Sequence, residues 1–142
     1  MDFHPLVIHY PIALLTVYAV FELLRFKWLT GLPCWFNIKA AILIIGEISA
    51  IATLLAAVAS DALSIESALA DMYKLFMFIT AIIFGIIAIL YGYKRTNTFI
   101  LIPLAVVGLF FIVVAGGLFG ATVYGTQFDP YLAPIFKLLR VF

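Results

Sequence analysis

Four long apolar runs leave this chain few ways to fold. They cover about residues 5–26, 38–59, 72–93 and 99–121. Each has the roughly 20 predominantly apolar residues that a helix needs to cross the hydrocarbon of a bilayer. Together they leave little else. The chain is 67% hydrophobic and 11% charged over 142 residues, with a mean hydropathy of +1.27. A soluble domain is closer to about half apolar and about a quarter charged. A chain of this length has too small an interior to hide so much apolar surface, so lipid must cover it. The sequence predicts an all-α fold: a four-helix transmembrane bundle forming a single integral membrane domain over residues 1–142, with a short interfacial helix in the tail at 130–142.

The segments between the runs fit that reading. His4 before Pro5 opens the first helix, since proline at the first helical position gives up no needed N–H. Pro11 falls inside that helix and should bend it near His9. No Lys or Arg precedes the first run, so it is expected to be a true span rather than a cleaved signal. The connection from Lys27 to Asn37 holds Trp28, Gly31, Pro33 and Trp35, which are turn formers and interfacial aromatics. Gly46, Ser49, Ala50, Ala52, Ala56 and Ala57 in the second run, and Gly108, Gly116, Gly117 and Gly120 in the fourth, permit close helix approach in lipid. In the tail, Lys137 and Arg140 share one face of an apolar segment.

With four spans both termini lie on one side. The side holding the first and third connections carries Arg25, Lys27, Lys39, Lys94 and Arg95, five bases against Lys74, Lys137 and Arg140 on the other. The bias of bases toward the cytoplasm places both termini outside. The net charge of +1 and the absence of a basic run give nothing for nucleic acid to bind. The single cysteine, Cys34, excludes an internal disulfide and a Cys-based metal motif. There is no G-x-S-x-G and no phosphate loop, so an enzyme is not the expected class.

Few residues are left to carry chemistry. Glu22 lies near the inner end of the first span with Arg25 three residues on, which reads as an interfacial ion pair. Glu47 lies deeper, and an intramembrane acid is a functional candidate by default. It either pins helices through Ser49, Thr53 or Thr16, or handles protons in a small proton-coupled transporter. His4 and His9 share the outer end with Asp61, Glu66 and Asp71. Imidazole and carboxylate together suit zinc or copper, so His4, His9, Asp61 and Asp71 form a candidate metal set and His4 and His9 candidate haem ligands. Five residues of helix rotate by about 500°, which leaves the two rings roughly 140° apart. No other span carries a histidine, and Met72 or Met77 as an opposing ligand is less expected than as packing. Haem b or a transition metal is therefore admissible but not favoured.

The opening His4-Pro-Leu-Val-Ile-His-Tyr-Pro-Ile-Ala-Leu-Leu15 resembles the H-P-x-x-V-H-F-P-I-A-L-L signature of a family of small, mostly bacterial four-helix membrane proteins, domain of unknown function 2231. Phe21-Glu22-Leu23-Leu24 resembles the acidic position late in that family's first helix. The Ala-rich second helix ending near Asp61 and Gly120-Ala-Thr-Val-Tyr-Gly125 are similar to later family features. The resemblance implies an inner-membrane four-helix unit, sometimes fused to or encoded near periplasmic electron-carrier modules. Relatives often carry a histidine near the start of the third helix and another beside the glycines of the fourth. Here those places read Ala70-Asp71-Met72 and Gly116-Gly117. The missing histidines lower the redox reading and favour a non-catalytic subunit or accessory protein of a larger, respiratory type of membrane complex. Its expected partners are the lipid bilayer and other membrane subunits or further copies of itself.

Overall fold

The computed structural model describes residues 4–24, 27–61, 68–93 and 97–124. All secondary structure among them is helical. Helix α1 spans His4–Leu23, α2 is the single turn Lys27–Thr30, α3 spans Trp35–Asp61, α4 Ala68–Gly92 and α5 Thr98–Tyr124. The tail segment expected to form an interfacial helix at 130–142 lies outside the described residues.

The helices differ from the sequence expectation mainly at their ends. α3 begins at Trp35, three residues before the expected start, because the Leu29–Trp35 turns hand the chain straight into it. Leu32 N–H donates to Leu29 O at 3.2 Å, Trp35 N–H to Leu32 O at 3.1 Å and Ile38 N–H to Cys34 O at 3.0 Å. α2 occupies part of what reads as a plain connection. α5 starts where Asn97 caps it: the Asn97 side-chain oxygen accepts from Phe99 N–H at 3.1 Å, the usual job of asparagine before a first helical turn. Both α1 and α5 run through their internal prolines, Pro11 and Pro103, as single helices.

The four long helices form a ring in the order α1, α3, α4, α5, with α5 closing on α1. Each neighbour pair is antiparallel, as the pairings show. Gly46 of α3 lies on Leu14 and Leu15 of α1, and seven residues from the Gly46–Leu15 contact along both helices Lys39 meets Glu22. Gly108 of α5 lies on Phe84 of α4, and Gly116 on Ile12 of α1. A methyl group at Gly46 would stand 2.7 Å from a Leu15 carbon, and one at Gly108 would stand 2.8 Å from the Phe84 ring. Glycine is needed at both crossings because the neighbouring side chain already fills the space.

The inside of the ring is filled by Leu15, Tyr18, Leu43, Phe84, Ile87, Ile112 and Leu118, all fully buried. The outside is apolar too: Ile44, Ile48, Ile51 and Leu55 on α3, Phe78, Ile82 and Ile89 on α4, and Val106, Phe110 and Val113 on α5 are exposed. Helices that are apolar all round belong in a low-polarity solvent. Trp35–Ala59, Asp71–Gly92 and Thr98–Gly120 are long and apolar enough to cross a membrane, with hydropathies of 2.3, 2.5 and 2.8. α1 contributes the shorter apolar stretch His9–Leu23.

Candidate functional site

At the end of the bundle that holds the first and third connections, three helices converge on Glu22. Its side chain is 1% exposed. Lys39, from the first turns of α3, reaches the Glu22 Oε2 atom at 2.6 Å. The Tyr91 hydroxyl, from the last turn of α4, donates to the same oxygen at 2.8 Å. A buried carboxylate with an ammonium and a phenol on it is a satisfied charge, and such charge-assisted bonds are short and strong. The antiparallel α1–α3 pairing sets this up, because it brings an acid near the end of one helix beside a base near the start of the next.

Aromatic rings build the walls around this pair. Phe36 stacks on Tyr91 at 5.2 Å and 12°, and Trp35 meets Phe21 at 5.0 Å. The Lys39 ammonium also lies 5.7 Å from the centre of the Tyr91 ring, within cation–π range. Tyr18 meets Tyr91 edge-on at 5.9 Å, and its buried hydroxyl has no hydrogen-bond partner among the described residues. A cleft of about 220 Å³ opens beside the pair, lined by Glu22, Lys39 and Tyr91 on its polar side and by Leu32, Pro33, Trp35 and Phe36 on its apolar side.

The sequence pointed to Glu22 but paired it with Arg25. Arg25 lies outside the described residues, and among those described Glu22 pairs across helices, with Lys39 and Tyr91. A signal for Lys39 was present: a lysine just inside the second apolar run, at the same end of the bundle as Glu22, needs a counter-charge there. Tyr91 gave no such signal. A tyrosine near a span end ordinarily reads as an interfacial aromatic.

Glu47 is the second buried acid, near the midpoint of α3 and 8% exposed. Its Oε2 is fully buried without a hydrogen-bond partner. Ser49 and Thr53 do not bond to it. The Ser49 hydroxyl donates to Gly46 O and the Thr53 hydroxyl to Ser49 O, both at 2.8 Å, so each serves the backbone of its own helix. The Thr80 hydroxyl on α4 does the same, donating to Phe76 O at 2.8 Å. Across the seam is Gly85 of α4, where an added methyl group would stand 3.5 Å from Glu47 Oε1. Helix-to-helix pinning through a hydroxyl on Ser49, Thr53 or Thr16 is therefore not the arrangement seen.

The expected metal set occupies the opposite end. His4 opens α1 and Asp61 closes α3. His9 is exposed and meets Phe119 of α5 edge-on at 6.1 Å. It also borders a shallow apolar depression formed with Tyr10, Ala13 and Leu14. Asp71 is exposed and paired with Lys74 at 3.0 Å, three residues along α4. Among the described residues no group of three or more His, Cys, Asp or Glu side chains is placed to hold a metal ion. Met77 packs fully inside the core and Met72 lies against it.

No family model, curated protein or solved structure matches this chain. The likeness to domain of unknown function 2231 thus stands on the motif residues alone.

Proposed function

We propose that this chain is a non-catalytic integral membrane subunit or accessory protein of a larger membrane complex, of the respiratory electron-transfer type, in a bacterial-type inner membrane. α1 is the fourth span of this proposal. Its 20 residues correspond to about 30 Å of helix, and its contacts with α3 and α5 run from His9 to Glu22, alongside helices of spanning length. Both termini then share the outer side, with the Glu22–Lys39–Tyr91 cluster near the inner surface.

The observation that supports a subunit most directly is how the polar groups are used. Lys39 and Tyr91 close on Glu22, Lys74 closes on Asp71, and the buried hydroxyls of Thr53 and Thr80 close on their own helices. Of these, only the Glu22 cluster ties separate helices together; the other groups are satisfied within their own helix. Meanwhile a continuous apolar exterior offers itself to lipid, to other membrane subunits or to a second copy. Solubilisation from native membranes in mild detergent tests this. A tagged chain should migrate in a complex of fixed composition larger than itself. A purely monomeric species with no co-purifying membrane protein would refute the reading.

A further inference from the structure

Hydrogen bonding accounts for Glu22 and leaves Glu47 unaccounted for. A buried polar atom without a partner is rare in a folded protein and calls for a physical reason. In lipid the demand is stronger, because no water stands nearby to supply the missing bond. Glu47 is more than nine-tenths buried, sits halfway along α3, and ends against a glycine rather than a donor.

We propose that Glu47 is a proton-binding site, a carboxylic acid in the seam between α3 and α4 that takes up and releases one proton. Two features of the seam support this. First, no cation is in bonding range to hold an ionised carboxylate. The inward-facing titratable groups on the two helices packed against α3 are Tyr18 and Glu22 from α1 and Tyr73 and Tyr91 from α4, with Lys39 on α3 itself. Lys39 and Tyr91 are both committed to Glu22. Lys39 also lies eight residues toward the inner end, about 12 Å along the helix. Tyr73 ends in an unpartnered hydroxyl of its own, and none of the five bonds to Glu47. Second, Gly85 leaves a notch over the carboxyl, since the nearest atom to a methyl built there is Glu47 Oε1 itself. A water or a repacked neighbour has room to reach the acid at that point.

The step is a bare proton transfer. A carboxylate oxygen of Glu47 gains a proton from a hydronium ion or water, an O–H bond forms, and the donor loses that proton; release is the reverse. The ionised form leaves an unpaired charge in an apolar seam. Proton release is therefore coupled to repacking of α3 against α4 or to entry of water through the Gly85 notch. This goes beyond the subunit reading and does not depend on it, since it concerns the isolated chain.

Infrared spectroscopy of the purified full chain in lipid nanodiscs tests the assignment, with pH titrated between about 3 and about 10, from below the ordinary carboxyl range to well above it. The wild-type minus Glu47→Gln difference spectrum should show the carbonyl band of one protonated carboxylic acid at the acid end. That band should shift in heavy water, disappear as pH rises and return on reacidification. Asp71→Asn, at an exposed and paired acid, should leave it unchanged. Should Glu47→Gln fail to purify like wild type, Glu47→Asp replaces it, and the band should then move rather than vanish. Absence of the band at every pH would overturn the proposal, because the group would be permanently ionised. A band that persists through the whole titration would also overturn it, because the acid would be a fixed structural group. An unchanged band in the Glu47 variants would assign it elsewhere and equally reject the site.

Discussion

Glu22 and Glu47 are the two acids buried among the described residues, and they are buried in opposite ways. Glu22, near the end of α1, is met by an ammonium from α3 and a hydroxyl from α4 on a single oxygen. Glu47, at the middle of α3, is met by nothing that donates. The difference follows from where each lies along the bundle. At an end, a lysine can bury its stem and keep its ammonium near water, so a paired charge can form at modest desolvation cost. At mid-depth a second charge would carry the full cost of leaving water. Helix ends can therefore use ionised groups as ties between helices, while the middle can hold an acid only if that acid is neutral or functional.

The tie at Glu22 should prove the more expensive to break. Lys39→Met leaves the Glu22 carboxylate with Tyr91 alone, and removing one partner of a buried pair costs about 3–5 kcal/mol. The lower half of that range is expected here because Lys39 keeps 13% exposure. Thermal unfolding in detergent measures the loss. Adding Glu22→Gln to Lys39→Met should recover much of it, since no buried charge is then left unpaired. A double variant as damaged as the single one would mean that the Lys39 stem, rather than the charge pair, holds the helices.

Glycine substitutions on the two sides of α4 compare the packing of its seams with α5 and α3 without replacing either acid. Gly108→Ala drives a methyl group to 2.8 Å from the buried Phe84 ring and 3.2 Å from Ile83, and overpacking of this kind costs about 1–3 kcal/mol. Gly85→Ala meets only Glu47 Oε1 at 3.5 Å, an ordinary contact, and should change stability by less than about 1 kcal/mol. Equal losses at the two positions would show that the seam beside Glu47 is as tight as the one beside Phe84.

Tyr91→Phe removes one donor from the Glu22 carboxylate while leaving the ring that Phe36 stacks on. A hydrogen bond to a charged group is worth about 1.5–3 kcal/mol, and the low end applies because Lys39 stays in place. Unfolding midpoints of the wild type and the variant, read in the same detergent, check it. A loss larger than that of Lys39→Met would make the phenol, not the ammonium, the principal tie.

The apolar runs made the helices legible in the sequence, because length and hydrophobicity alone select elements of spanning size. Ends were less legible. Trp35 and Phe36 read as part of a connection, since interfacial aromatics and Pro33 look the same whether the helix begins before or after them. The site was legible by residue type and not by partner. Glu22 and Glu47 stand out in any list of acids within apolar runs, but only the antiparallel register puts Lys39 beside Glu22 and Gly85 beside Glu47. Tyr91 was invisible as a ligand of the carboxylate because its hydroxyl crosses the centre of the ring from α4 to α1. That contact separates residues 69 positions apart in the chain. The hydroxyls of Ser49 and Thr53 misled for a local reason. In a helix they have a carbonyl three or four residues back, and both chose it over the nearby acid.

The smallest effect is the most discriminating. If Glu47 carries a proton in the folded protein, Glu47→Gln exchanges one neutral polar group for another of nearly the same size. The two cost about the same to bury, so stability at neutral pH should change by no more than about 1 kcal/mol. A large gain in stability on substitution would mean that the wild type buries an ionised, unpaired carboxylate, which glutamine relieves. A loss of about 2 kcal/mol would mean that the carboxyl has a donor, as Glu22 does, and that glutamine forfeits it. Either deviation makes the two acids alike, as buried charges that differ only in how well they are compensated. No change keeps them distinct, with Glu22 a structural tie and Glu47 an acid whose protonation, not its bonding, is what the fold has arranged.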